Sequence, residues 1–167
     1  MSVDYSEKIL TVKDLEVQFN LRGQVLTAIR GISLDIYKGE SLAIVGESGS
    51  GKSVFTKTFM GMLDKNGKVT KGEILYNGMD LAKFGSEKDW LKIRGREIAM
   101  VFQDPMTSLN PLKTVGKQIQ EALELHQNLH GRAARERTIE ILSDVGIAEP
   151  ERRYKQYPHE FSGGMRQ

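Results

Sequence analysis

The chain has 167 residues, enough for one domain with its own core or for part of a larger one. Charged residues make up 28% and hydrophobic ones 39%, the balance of a folded soluble chain, and a net charge of +2 is too small to argue for nucleic acid as a partner. With no cysteine, disulfides, thiolate metal sites and cysteine nucleophiles are excluded, and no apolar run approaches the ~20 residues that cross a bilayer. Met1 to Lys8 is polar and mixed in charge, without a signal-peptide core, so a cytosolic protein is the simplest reading and membrane association needs a partner.

In chain order, Leu15, Val17 and Phe19 alternate with Glu16 and Gln18, which predicts a half-buried strand over 9–19. A turn around Gly23 leads to a second alternating stretch, Ile32, Leu34 and Ile36, and the two suggest an antiparallel hairpin or meander beside a parallel core. Phe19 ends the first strand, where it can stack on a nucleotide base or serve as a core or rim residue. Ser41 to Val45 carries four consecutive apolar residues and reads as a central strand buried on both faces. Phe55, Phe59, Met62 and Leu63 then recur at helical spacing. Gly72 to Tyr76 reads as a short strand ending at the Asn77-Gly78 turn. Asp64 to Gly67 spells D-x-x-G but follows a helix, and reads as a turn. Ile98 to Phe102 predicts another central strand, delivering Gln103 at its end before Asp104-Pro105. Beyond it, Val115, Ile119, Ala122, Leu123 and Leu129 fit one helix, and Ala134, Thr138, Ile141, Leu142 and Val145 another, with Gly131 and Gly146 at their ends.

The run Gly46, Glu47, Ser48, Gly49, Ser50, Gly51, Lys52, Ser53 matches G-x-x-x-x-G-K-[ST], the loop that cradles phosphates in nucleoside-triphosphate-binding proteins. Its glycines let backbone N–H groups close around phosphate oxygens, Lys52 brings a mobile charge, and Ser53 a hydroxyl that can sit on Mg²⁺. Gln103 shares that rim of the sheet, where an amide can ligate Mg²⁺ or position water, or simply end a strand. Ser162 is a natural N-cap before Gly163-Gly164, a second possible anion site or a plain turn. His126 and His130 are one helical turn apart, but no third ligand is evident and a solvated face is favoured.

Together these segments resemble the ATP-binding subunits of ABC transporters, in the order Phe19, GESGSGKS, VFQDPMTSLNP and FSGGMRQ. The last looks like that family's LSGGQ signature with Phe161 for Leu and Met165 for Gln, and the set is most similar to the dipeptide/oligopeptide and nickel importer subgroup. Met165 points to the first of its two paired ATPases. The resemblance implies an α/β P-loop NTPase core with an N-terminal antiparallel β subdomain and an α-helical insert. The β subdomain and core would take about 1–104, the insert about 105–161, and the start of the signature helix 162–167. It implies ATP and Mg²⁺ as cofactors, with Phe19 on adenine, Lys52 and Ser53 on phosphates and Mg²⁺, and Gln103 on Mg²⁺ and the attacking water. Ser162, Gly163, Gly164 and Met165 would contact the ATP of a second ATPase subunit in a head-to-tail dimer. Permease subunits, and indirectly an extracytoplasmic substrate-binding protein, complete the implied partners, with the ATPase on the inner face of the membrane.

One departure from the family pattern bears on activity. Family members carry an apolar strand ending in Asp-Glu and then a His on a later loop, whereas His126, His130 and His159 all precede that place here. The expectation is a partial cassette with the C-terminal part of the core missing, able to grip phosphate and hydrolytically inactive as it stands. The alternative is a non-catalytic module for nucleotide or a partner subunit. A P-loop kinase is disfavoured by the helical insert followed by Ser-Gly-Gly.

Overall fold

The alternating N-terminal residues form β1 (Asp4–Leu21), which turns back through Arg22 and Gly23 into β2 (Gln24–Lys38). Both turn residues have positive φ, 49° and 86°, the twist that suits a two-residue hairpin between right-twisted strands. After α1 (Lys52–Thr58), β3 (Gly67–Tyr76) pairs with the other edge of β1, and Asn77-Gly78 closes a second hairpin into β4 (Met79–Asp80). The sheet order is β2-β1-β3-β4, with every pair antiparallel. The ladder slips once beside the site: Val17 faces Ile29 but Gln18 faces Thr27, which leaves Ala28 as a bulge on β2.

The computed structural model describes residues 3–102 and 108–167, in two compact units, Met1–Ile98 and Ala99–Gln167. In the first unit the core gathers Leu10, Val12, Leu15 and Val17 from β1, Ile29 from β2 and Ile74 from β3. Phe55 of α1, Leu81, and Trp90 of α2 (Glu87–Trp90) cover them, joined by Ile93. Phe55 meets Phe59 edge-on at 4.9 Å and Phe84 meets Trp90 at 5.1 Å, the geometry that aromatic quadrupoles favour.

Asp80 holds the end of this sheet. One carboxylate oxygen accepts from the backbone N–H groups of Ile74 and Ala82, both at 3.1 Å, and the other faces Lys83 Nζ at 3.0 Å. Burial works against its charge, but the two N–H donors and Lys83 outweigh it and hold its pKa below the ordinary carboxylate value. A lowered folded pKa contributes stability that is present above the unfolded value and lost as pH falls through the folded one. Asp80→Asn is therefore expected to destabilise the protein at pH 7 by about 1–3 kcal/mol. In urea unfolding, the gap between variant and wild type should close as pH drops below about 4.

The second unit contains α3 (Val115–Gln127), α4 (Gly131–Asp144), α5 (Pro150–Arg153) and α6 (Gly163–Arg166). Val115 and Leu123 of α3 are buried, as are Ala134, Thr138 and Leu142 of α4, and the Thr138 hydroxyl donates to the Ala134 carbonyl at 2.8 Å. Gly146 follows α4 as expected, but α3 stops earlier than Gly131. Asn128, at φ 54°, caps it, Leu129 lies beyond it, and Gly131 is the first residue of α4.

Two expected strands are not formed. Residues 41–45 lie outside any strand, and Leu42, Ile44 and Val45 are 46%, 40% and 87% exposed. In 98–102 the one strand-like contact among the described residues is a parallel bridge between Arg94 and Ile98, and Val101 is 83% exposed. The reason is pairing: a buried parallel strand exists only between hydrogen-bonded neighbours. Among the described residues the sheet holds β1 to β4 alone, so the expected parallel core is not assembled there. The helix after the phosphate loop is also shorter than its apolar spacing suggests. It ends at Thr58, with Met62 and Leu63 beyond it. No described helix is long and apolar enough to cross a membrane.

Candidate functional site

The loop is closed by local hydrogen bonds, without the strand expected before it. Residues 41–50 are exposed, and the Ser50 N–H donates to the Glu47 carbonyl at 3.2 Å, closing a turn over Ser48 and Gly49. Gly51 caps α1 at φ 94°, and its carbonyl accepts the Phe55 N–H at 2.8 Å, the first bond of the helix. A side chain on Gly51 would meet the Ala28 carbonyl oxygen and Ile29 Cδ1, both at 3.0 Å. Positive φ and close approach together require glycine here, and the bulged residue of β2 is what the loop rests on. Phe55, 2% exposed, anchors α1 in the core one turn further on.

Lys52 spans the loop. Its ammonium donates to the carbonyls of Gly46 at 2.8 Å and Glu47 at 2.7 Å, with Ser50 Oγ at 3.4 Å. The charge thus sits over the ring of backbone it closes. Ser53 lies exposed in the first turn of α1, and its hydroxyl has no hydrogen-bond partner among the described residues. A Cβ on Gly46 would fall 2.8 Å from Ser50 Oγ, so glycine there keeps the inside of the loop clear. An ammonium, a free serine hydroxyl and a clear glycine-lined backbone suit phosphate oxygens and a hard divalent cation.

Phe19 belongs to the same unit. It does not end β1, which runs two residues further, and it is paired with Leu26 on one side and Gly67 on the other. It stands two residues along β1 from Val17, the partner of Ile29 against which Gly51 packs. Gln103 lies outside the described residues.

The signature segment lies in the other unit. The Tyr157 N–H donates to the Glu160 carboxylate at 2.7 Å across a 3₁₀ turn over Pro158–Glu160. Phe161, 3% exposed, packs with Val115 and Leu142. That buried ring sets where Ser162 emerges, and the Ser162 hydroxyl caps α6 by accepting the Met165 N–H at 3.3 Å. Gly163 and Gly164 are exposed, with open space where their side chains would be, and Met165 is partly buried against the Phe161 cluster. His126 and His130 are not on one helix: α3 ends between them, and the His130 ring bonds Asn128 Oδ1 at 3.0 Å. Sequence reasoning missed Asp80 and the Ala28 bulge, since neither a lone Asp after Met79 nor an Ala inside a strand carries a local signal.

The family model described as ABC transporter matches residues 29–167. The chain belongs to the ABC transporter family. It is 55% identical over 159 residues to the oligopeptide transport ATP-binding protein AmiE of Streptococcus pneumoniae, covering 95% of this chain and 45% of that protein. To the dipeptide transport ATP-binding protein DppD of Bacillus subtilis it is 52% identical, covering 96% and 48%. This ABC chain therefore spans about half the length of the curated relatives it matches. Among solved structures it is similar to the dimeric bacterial ABC transporter cassette MJ0796, with a TM-score of 0.80, 26% identity, 94% of this chain and 65% of that one. The same cassette in a post-hydrolysis state bound to ADP and Pi gives a TM-score of 0.79 at 28% identity. The fold is that of an ABC ATPase cassette with an antiparallel β subdomain and helices, present here as a partial α/β arrangement.

Proposed function

We propose that this chain is the ATP-binding part of the energy-coupling subunit of an ABC importer for dipeptides or oligopeptides. The observation that carries it is Lys52 held by the Gly46 and Glu47 carbonyls over a clear glycine loop. Lys52 exchanges these partners for β- and γ-phosphate oxygens, and Ser53 offers its hydroxyl to Mg²⁺. The cation, when bound, neutralises charge on the phosphates. Phe19 would stack on the base, and Gln103 would help to hold the metal and orient the attacking water.

Ser162, Gly163, Gly164 and Met165 serve the ATP of a second ATPase subunit. Closure of that dimer drives permease subunits at the cytoplasmic face of the membrane, fed by an extracytoplasmic substrate-binding protein. The peptide class rests on what the relatives' names say they transport. Nucleotide binding is the part of this cycle assigned to residues 46–53.

Calorimetric titration with ATP, ADP and AMP in the presence of Mg²⁺ tests the reading. AMP should bind at least about tenfold more weakly than the other two, since it lacks the phosphates that Lys52 would grip with bonds of about 1.5–3 kcal/mol each. Ser53→Ala should blunt the gain from Mg²⁺. Equal affinity for all three nucleotides overturns the assignment.

A further inference from the structure

Most glycines here sit at positive φ, where a side chain would strain the backbone, but Gly67 is not among them. Its conformation is one that any residue adopts. What excludes a side chain is the Phe19 ring: a Cβ on Gly67 would fall 2.4 Å from Cε1 and 2.9 Å from Cδ1 and Cζ. The two residues are directly opposite in the β1–β3 ladder. That end of the ladder is tied down. The Asn20 N–H donates to the Asn66 carbonyl at 2.9 Å, Asn66 Nδ2 donates back to the Asn20 carbonyl at 3.1 Å, and the Gly67 N–H donates to the Asp64 carbonyl at 2.8 Å. Gly67 therefore presents a fixed, bare backbone to one side of a ring that is only partly buried.

We infer that Gly67 is a positioning residue for nucleotide recognition: it lets the Phe19 ring lie against β3 and fixes the angle at which that ring meets a base. The inference rests on the reading of Phe19 as the base-stacking residue. Covering a cross-strand glycine with an aromatic ring is also a purely structural device. The two roles separate on ligand choice. A positioning role affects binding of the base and spares binding of the phosphates.

The test compares ATP with inorganic tripolyphosphate, which offers the same phosphate chain without base or sugar, on the full chain. Wild type should favour ATP, and Phe19→Ala should remove roughly tenfold of that preference, the scale of one base-on-aromatic stack. Gly67→Ala, which pushes the ring aside, should remove a similar share while leaving tripolyphosphate affinity within twofold. Adding it to Phe19→Ala should change nothing further. A preference for ATP undiminished in Gly67→Ala overturns the inference while leaving the proposed function standing. Failure of wild type to bind either ligand in a Lys52-dependent way would instead remove the proposed function. If Gly67→Ala does not fold, Asn66→Ala, which removes the Nδ2 bond to the Asn20 carbonyl and leaves Gly67 bare, should lower the ATP preference at unchanged tripolyphosphate affinity. An unchanged preference overturns the inference.

Discussion

Lys52→Ala is expected to lower ATP affinity by about a hundredfold or more while leaving the fold intact. The ammonium already makes two short charged bonds within the loop, to the Gly46 and Glu47 carbonyls. Moved onto phosphate oxygens, two charge-assisted bonds of about 1.5–3 kcal/mol each convert to that factor. The carbonyls released by the mutation belong to exposed residues, so water takes the place of the ammonium and thermal unfolding should barely shift. Lys52→Arg should recover only part of the affinity, because a planar guanidinium cannot reproduce a compact point charge on a flexible stem. Titration of a fluorescent ATP analogue against the three proteins gives the answer. Equal affinity in wild type and Lys52→Ala would mean that the loop is not the nucleotide site.

Gly61→Ala should strongly destabilise the first unit. A Cβ there would lie 2.1 Å from Trp90 Cε2 and 2.5 Å from Cδ2 and Nε1, on a backbone at φ 58° that alanine already resists. Trp90 has no easy way out. It is 9% exposed, meets Phe84 edge-on at 5.1 Å, and lies under the Arg94 guanidinium at 5.4 Å. Arg94 is itself fixed by bonds to the Met60 carbonyl at 2.6 Å and the Gly61 carbonyl at 3.0 Å. Overpacking and strain together should cost about 3 kcal/mol or more. Trp90 is the one tryptophan of the chain, so its emission in a urea titration reports this unit directly. An unshifted midpoint would show that this contact is not made in solution.

Local chemistry carries the hairpins and the helix starts, and pairing partners decide the rest. Asn77-Gly78 and the Gly23 turn were legible because two-residue hairpins demand those residue types. The start of α1 at Lys52 and Ser53 is legible because the loop motif opens a helix, and the Ser162 cap because an N-cap needs a short acceptor. Residues 41–45 and 98–102 are apolar enough to predict strands, yet neither run forms one among the described residues. Composition says that a strand of this kind is buried on both faces, but not whether its neighbours lie in these residues. Asn128 took the cap given to Gly131 because asparagine also tolerates φ 54°, so periodicity alone could not choose between them.

The bulge at Ala28 also has a consequence in time. A two-residue turn brings β1 and β2 together at small loop-closure cost, whereas β3 joins β1 only after the phosphate loop and α1 have been spanned. The hairpin should thus set its register first, so that the shelf on which Gly51 rests is in place before Gly51 reaches it. Lengthening the chain between Lys38 and Gly46 should slow the docking of α1 in refolding kinetics while leaving the geometry of the finished loop unchanged.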